Sequence, residues 1–96
     1  MYVKNYALIT GASSGIGKSM AVELGKKKIN LLLVALPNTG LRQTAIQLTE
    51  SYGIDTKYLE VDLTNAQAAA SVYAWVKNCN VALRILINNA GIGTQL

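Results

Sequence analysis

The 96-residue sequence contains no histidine and a single cysteine, Cys79. One thiol cannot close an internal disulfide, which agrees with a reducing compartment. Without imidazole or a second thiol, Cys79 has no companions for a metal site. It is read as a small apolar residue or a surface accident. Aromatic residues make up only 6% of the chain, so its positive charge has no platform of rings on which nucleic-acid bases could stack. Charge itself is sparse: nine basic and five acidic residues leave a net +4. The basic residues are scattered except for Lys26, Lys27 and Lys28, which fall near the end of a helical stretch. Cations complement the helix dipole there, so a solvated helix end is favoured over a nucleic-acid or membrane patch. No basic segment followed by an apolar stretch opens the chain, so no signal peptide is expected. The longest uncharged run, Leu63 to Val76, is broken by Thr, Asn, Gln and Ser. It falls short of the ~20 apolar residues a membrane span requires. Together these absences predict a soluble, cytoplasmic protein with no metal, membrane or nucleic acid among its partners.

What is present is organised around Thr10-Gly11-Ala12-Ser13-Ser14-Gly15-Ile16-Gly17. An apolar run, Tyr6-Ala7-Leu8-Ile9, precedes it and reads as a strand. Ile16, Met20 and Leu24 follow at intervals of four, like one face of a helix, which puts Ile16 into the core. Three glycines thus occupy a strand-to-helix turn. Glycine lacks a Cβ, so it takes positive φ and lets a ligand approach the backbone. The first turn of a helix offers unpaired N–H groups and the positive end of a dipole, which suits an anionic phosphate. The turn is read as a cradle for a nucleotide pyrophosphate.

Hydrophobic residues form 51% of the sequence, enough for the core of one domain spanning residues 1–96. The first strand is predicted over Val3 to Ile9 and the first helix over Gly15 to Lys28. Ile29 to Leu36 is nearly all apolar, as in a strand buried on both faces of a parallel sheet. Pro37-Asn38-Thr39-Gly40 ends it. Leu41, Ala45, Leu48 and Tyr52 then form a helical stripe, with Gly53 as the stop. Thr56 to Val61 is a third strand closing on Asp62. Thr64-Asn65-Ala66-Gln67 fits a capping box for a third helix, whose packing face is Ala69, Val72, Tyr73 and Val76. Trp75 is assigned to the surface of that helix or to a partner contact. Arg84 to Ile87 is the fourth strand. This alternation predicts an α/β fold: a Rossmann-type doubly wound parallel sheet of order 3-2-1-4, with about four strands and three helices. Only one helix then covers the second face, and the fourth strand becomes an open edge. With the sequence stopping five residues after Gly91, in a loop, the expectation is the front part of a longer protein.

Three pieces resemble the short-chain dehydrogenases/reductases, over the whole chain as the N-terminal half of that family's fold. Thr10 to Gly17 resembles the family's T-G-x-x-x-G-x-G cofactor loop. Val61-Asp62-Leu63-Thr64 is similar to its D-L or D-V that contacts the adenine. Asn88-Asn89-Ala90-Gly91 matches its N-N-A-G. The resemblance implies a cofactor site of Gly11, Ser13, Ser14, Gly15, Ile16, Gly17, Asp62, Leu63, Asn89, Ala90 and Gly91, with Asn88 bracing the sheet. It implies hydride transfer between a nicotinamide and a carbonyl or secondary alcohol, and a full-length protein that is a homo-oligomer. The family's catalytic Ser, Tyr-x-x-x-Lys and second Asn have no matching positions here and would lie beyond Leu96. No catalytic residue is therefore assigned, and the segment alone is expected to be inactive.

NADP is preferred over NAD on the residues after strand two. NAD-specific folds place an acid near the end of that strand, yet no acid lies between Glu23 and Glu50. The arginine of many NADP-using relatives is also absent, with Leu36 in its place. Ser13, Ser14, Asn38 and Arg42 are candidate substitutes as phosphate donors. Two further patterns are weighed. Ala12 to Ser19 resembles a P-loop with Ala for its first Gly, which would set Lys18 on phosphates, Ser19 on Mg²⁺ and Asp62 nearby. That reading leaves Asn88 to Gly91 without a role. Tyr73 and Lys77 form a Y-x-x-x-K, but on the helix before the fourth strand, where Tyr73 is read as packing and Lys77 as a last-turn cation. A non-catalytic nucleotide-binding module is the other alternative.

Overall fold

The computed structural model describes residues 4–89. Four strands, β1 (Asn5–Thr10), β2 (Asn30–Ala35), β3 (Thr56–Glu60) and β4 (Ala82–Asn88), alternate with three helices, α1 (Gly15–Lys26), α2 (Leu41–Tyr52) and α3 (Ala68–Cys79). The strands form one parallel sheet in the order β3-β2-β1-β4, as the alternating pattern predicts. Ile9 pairs with Leu33 on one side and Ile87 on the other. Ala90 and Gly91 of the N-N-A-G segment lie outside the described residues.

The sheet has two unlike faces. On one, Ala7, Ile9, Leu31 and Leu33 pack beneath α1 and α2 with Ala21, Leu41, Ala45 and Leu48. On the other, Tyr6, Leu8, Leu32 and Val34 meet Val72, Trp75, Val76 and Cys79 of α3. Leu31 through Val34 are fully buried, as expected for a central strand sandwiched between helices. Each such side chain contributes about 1.5–3 kcal/mol of hydrophobic stabilisation. The α3 face is only partly covered. Leu86 pairs with Leu8 and faces the same side, yet it is 62% exposed.

Several expectations are corrected. Ile16 is 68% exposed, and α1 buries Gly17, Ala21 and Gly25 instead. The buried stripe is one position later than the large apolar residues suggest, because small residues let the helix backbone approach its neighbours. A Cβ on Gly25 would stand 2.8 Å from the Tyr52 ring. On α3, Tyr73 is 68% exposed and Ala69 is also at the surface. Trp75 is half-buried against the sheet. The capping box does not form: Gln67 caps α3 without a side-chain bond, and the Thr64 hydroxyl donates to Asp62 at 2.7 Å. The α2 stripe and its Gly53 stop, at φ 66°, are as expected.

Candidate functional site

In a parallel sheet the carboxyl ends of all strands share one edge of the molecule, and ligands bind in the crevice beyond them where strand order reverses. Here that point lies between β1 and β4. The turn leaving β1 places Gly11 at φ 67° and Gly15 at φ 59°, conformations that disfavour any side chain. Gly17 is fixed by a different constraint. A Cβ there would lie 2.0 Å from the Gly11 carbonyl oxygen and 2.9 Å from Asn89 Nδ2. The helix therefore starts in contact with the strand's exit, a contact that any side chain at this position would break.

Ser14 caps α1 in an extended conformation, and its side chain makes no cap bond. The first helical bond runs from Lys18 N–H to Ser14 C=O at 3.4 Å. The amides of Gly15, Ile16 and Gly17 thus precede the ladder, and no acid in the first turn offsets the dipole. At Gly15, no described residue outside its own stretch of chain stands within 4 Å of where a side chain would begin. Unpaired amides at a helix start suit a phosphate.

A polar brace holds the cradle. The buried Thr10 hydroxyl donates to Asn88 Oδ1 at 3.0 Å and accepts the Asn89 N–H at 2.9 Å. Asn89 Nδ2 in turn donates to the Gly11 carbonyl at 3.3 Å. Asn88 is thereby a sheet-bracing residue, and Asn89 joins the end of β4 to the glycine turn. Thr10 opens the T-G-x-x-x-G-x-G pattern, but the sequence reading assigns it no role of its own. Its signal was a hydroxyl closing an otherwise apolar strand.

Past β3, the exposed Asp62 carboxylate accepts both the backbone N–H of Thr64 at 2.9 Å and its hydroxyl at 2.7 Å. These two donors hold the carboxyl below its ordinary range. Leu63 is half-buried against the α3 face. Ser13 is half-buried, while Ser14 and Ile16 are exposed beside the cradle. Lys18 lines a groove of about 160 Å³ between α1 and α2, with Val22, Thr44, Gln47, Leu48, Ser51 and Tyr52.

The opposite end of the sheet carries a second polar cluster. Tyr6 donates its hydroxyl to Asp55, whose carboxylate also pairs with Lys57 at 3.3 Å. Asn30 accepts the Asp55 N–H at 2.8 Å and reaches the Asn5 carbonyl. Burial pushes the Asp55 carboxyl up, but the Tyr6 hydroxyl and the Lys57 ammonium outweigh it and bring it below its usual value. Burial, followed by the bond to Asp55, drives the Tyr6 phenol well above the usual tyrosine range. The charge of the chain collects at this end. Lys4, Lys26, Lys27, Lys28, Lys57, Lys77 and Arg84 lie there with Glu23, Glu50 and Asp55, whereas Lys18 and Arg42 balance Glu60 and Asp62 at the carboxyl end. No group of three metal-ligating side chains occurs among the described residues. No helix among them is long and apolar enough to cross a membrane.

Residues 5–96 match the short chain dehydrogenase family. A very-long-chain 3-oxoacyl-CoA reductase of Phaeosphaeria nodorum is 42% identical over 95 residues, covering 95% of this chain and 27% of the relative. L-sorbose reductase of Gluconobacter frateurii, solved with NADPH and L-sorbose, superposes with a TM-score of 0.84 at 32% identity, over 93% of this chain and 34% of that one. A short-chain dehydrogenase of Sphingobium yanoikuyae, solved with NADPH, gives 0.82 at 37% identity, over 91% and 34%. The chain spans only about a third of the length of such relatives, 30% for the Bos taurus reductase. These matches run against the P-loop reading of Lys18 and Ser19.

Proposed function

The chain belongs to the short-chain dehydrogenase family, and from that premise we propose that it supplies the dinucleotide site of an NAD(P)-dependent oxidoreductase. The observation that carries the proposal is the close contact between Gly17 and Gly11, too tight for a side chain, which sets the first turn of α1 directly against the exit of β1. In this reading the amides of Gly15, Ile16 and Gly17 bind the bridging phosphates, with Gly11, Ser13 and Ser14 shaping the turn. Asp62 accepts the adenine amino group, and the Leu63 backbone borders the ring. Asn89, with Ala90 and Gly91 following it in sequence, lines the ribose next to the nicotinamide. When bound, the nicotinamide exchanges a hydride with a carbonyl or secondary alcohol. The residues of this chain bind and orient it.

NADPH is the favoured form. Both solved relatives described above hold NADPH, and no acid in the loop between β2 and α2 would repel a 2′-phosphate. The full protein is proposed to be a cytoplasmic homo-oligomer acting on a small carbonyl or alcohol. The test is calorimetric titration of the full-length protein with NADPH and NADH. Saturable binding of at least one is expected, and the absence of binding by both rejects the proposal. The 96-residue polypeptide, assayed with NADPH and ketones, is expected to show no turnover.

A further inference from the structure

We propose that the groove between α1 and α2 is a second binding site, for a small carboxylate on an apolar body the size of one ring. It lies on the helical face of the sheet, outside the crevice between β1 and β4, and does not depend on the dinucleotide reading. Its lining is sorted along its length. Both helices run from the carboxyl end of the sheet to the amino end, so they enter the groove from the same side. Lys18 and Thr44 close the first turn of each, and Val22 and Leu48 stand one turn further on. Tyr52, the last residue of α2, lines the far end with a ring that lies against Gly25. The groove thus has a polar end and an apolar one.

The polar end is set for an anion. Lys18 is exposed, and its ammonium makes no hydrogen bond or ion pair to any described residue. Thr44 is only 5% exposed, yet its hydroxyl has no hydrogen-bond partner among the described residues. A buried hydroxyl without a partner is costly, and a ligand oxygen would supply one. No acid lines the groove, and neither helix carries one in its first turn. Two positive dipole ends therefore reinforce the lysine unopposed. One carboxylate satisfies both groups, accepting from the Lys18 ammonium on one oxygen and from the Thr44 hydroxyl on the other.

Size and polarity define the rest of the ligand. The groove holds about 160 Å³, close to the roughly 150 Å³ of a cavity that admits one benzene ring. That volume seats a single ring or a branched chain between Val22 and Leu48, and it is too small for a nucleotide or a folded peptide. A bare anion would leave the apolar end empty. A neutral ring would leave Lys18 and Thr44 without partners.

The test is ligand-observed NMR titration of the full-length protein, as wild type, Lys18→Glu, Thr44→Val and Ser51→Phe, with benzoate, benzyl alcohol and acetate. Benzoate is expected to bind saturably and more tightly than either of the others. Lys18→Glu turns an attraction into a repulsion and is expected to weaken benzoate about fivefold or more, with benzyl alcohol unchanged. Thr44→Val removes only the unpaired hydroxyl. It is expected to weaken benzoate about threefold while the melting temperature holds or rises. Ser51 is exposed on the rim, and in Ser51→Phe the added ring fills the apolar end, so benzoate binding is expected to be lost in a protein that circular dichroism shows folded. Benzoate that fails to saturate the wild type overturns the proposal. Affinity for benzoate unchanged in Lys18→Glu overturns it as well, because the ligand then sits elsewhere. Benzyl alcohol or acetate matching benzoate does the same, since one end of the groove then carries nothing.

Discussion

The two ends of the sheet both carry tyrosine, threonine, asparagine or aspartate side chains on strand termini, but these groups are aimed differently. At the amino end, Tyr6, Asp55, Lys57 and Asn30 satisfy one another across three strands. At the carboxyl end, Thr10, Asn88 and Asn89 are linked to one another, and Asn89 reaches the backbone of the glycine turn, while the amides that begin α1 have no side-chain cap. The comparison separates polar groups that lock strands together from polar groups that shape a place for something else. Substitutions at the two ends should therefore affect stability and nucleotide binding in different proportions.

The largest effect is expected at Gly17. In Gly17→Ala the added methyl collides with the Gly11 carbonyl and with Asn89. Backbone must move, at about 1–3 kcal/mol for overpacking, and the cradle loses its shape. Denaturant unfolding should show the destabilisation, and titration should show NADPH binding lost. Near-normal affinity in a folded Gly17→Ala protein would remove the cradle from the argument.

Thr10→Val and Tyr6→Phe sharpen the contrast, since each deletes one hydroxyl at opposite ends. Thr10→Val deprives the Asn88 side-chain oxygen and the half-buried Asn89 N–H of their partner, costing about 1–3 kcal/mol, and should also weaken NADPH. Tyr6→Phe removes the donor to Asp55 and should cost about 0.5–1.5 kcal/mol with NADPH affinity unchanged. If Tyr6→Phe impairs binding as much as Thr10→Val, the two ends are not separable in this way.

The smallest effect is a pH dependence at the amino end. The Asp55 carboxyl is lowered in the folded state, so its contribution is present above the ordinary carboxylate range and is lost as pH falls through the folded value. The Tyr6 phenol is raised, so its contribution is present below the ordinary tyrosine value and is lost as pH rises through the folded one. The stability gap between wild type and Tyr6→Phe should be widest near neutrality and narrow on both the acid and the alkaline side. Urea unfolding at pH 3, 7 and 10.5 measures it, and a gap that widens at pH 10.5 contradicts the assignment.

Strand order was legible because Leu31 to Val34 is apolar without alternation, and only a central strand needs that. The glycine turn was legible because its spacing joins an apolar run to a helical one. The face of α1 was misread because periodicity weights large residues such as Ile16 and Met20, whereas contact with the sheet selects Gly17, Ala21 and Gly25. Thr64 was misread because a capping hydroxyl and a side-chain turn look alike in sequence. The carboxylate of Asp62, two residues back, competed for it and won. Tyr73 and Trp75 exchanged roles because one helical step decides which ring meets the sheet. The Tyr6–Asp55 bond joins residues 49 positions apart, and only the register of three strands brings them together.

The uneven distribution of charge has a practical consequence. With its uncompensated lysines and Arg84 gathered at the amino end of the strands, the described chain is an electric dipole along the strand direction. On a sulfonate resin or a silica support it would adhere by that end. The immobilised layer would then present its phosphate cradle outward, ready for use as an oriented affinity surface.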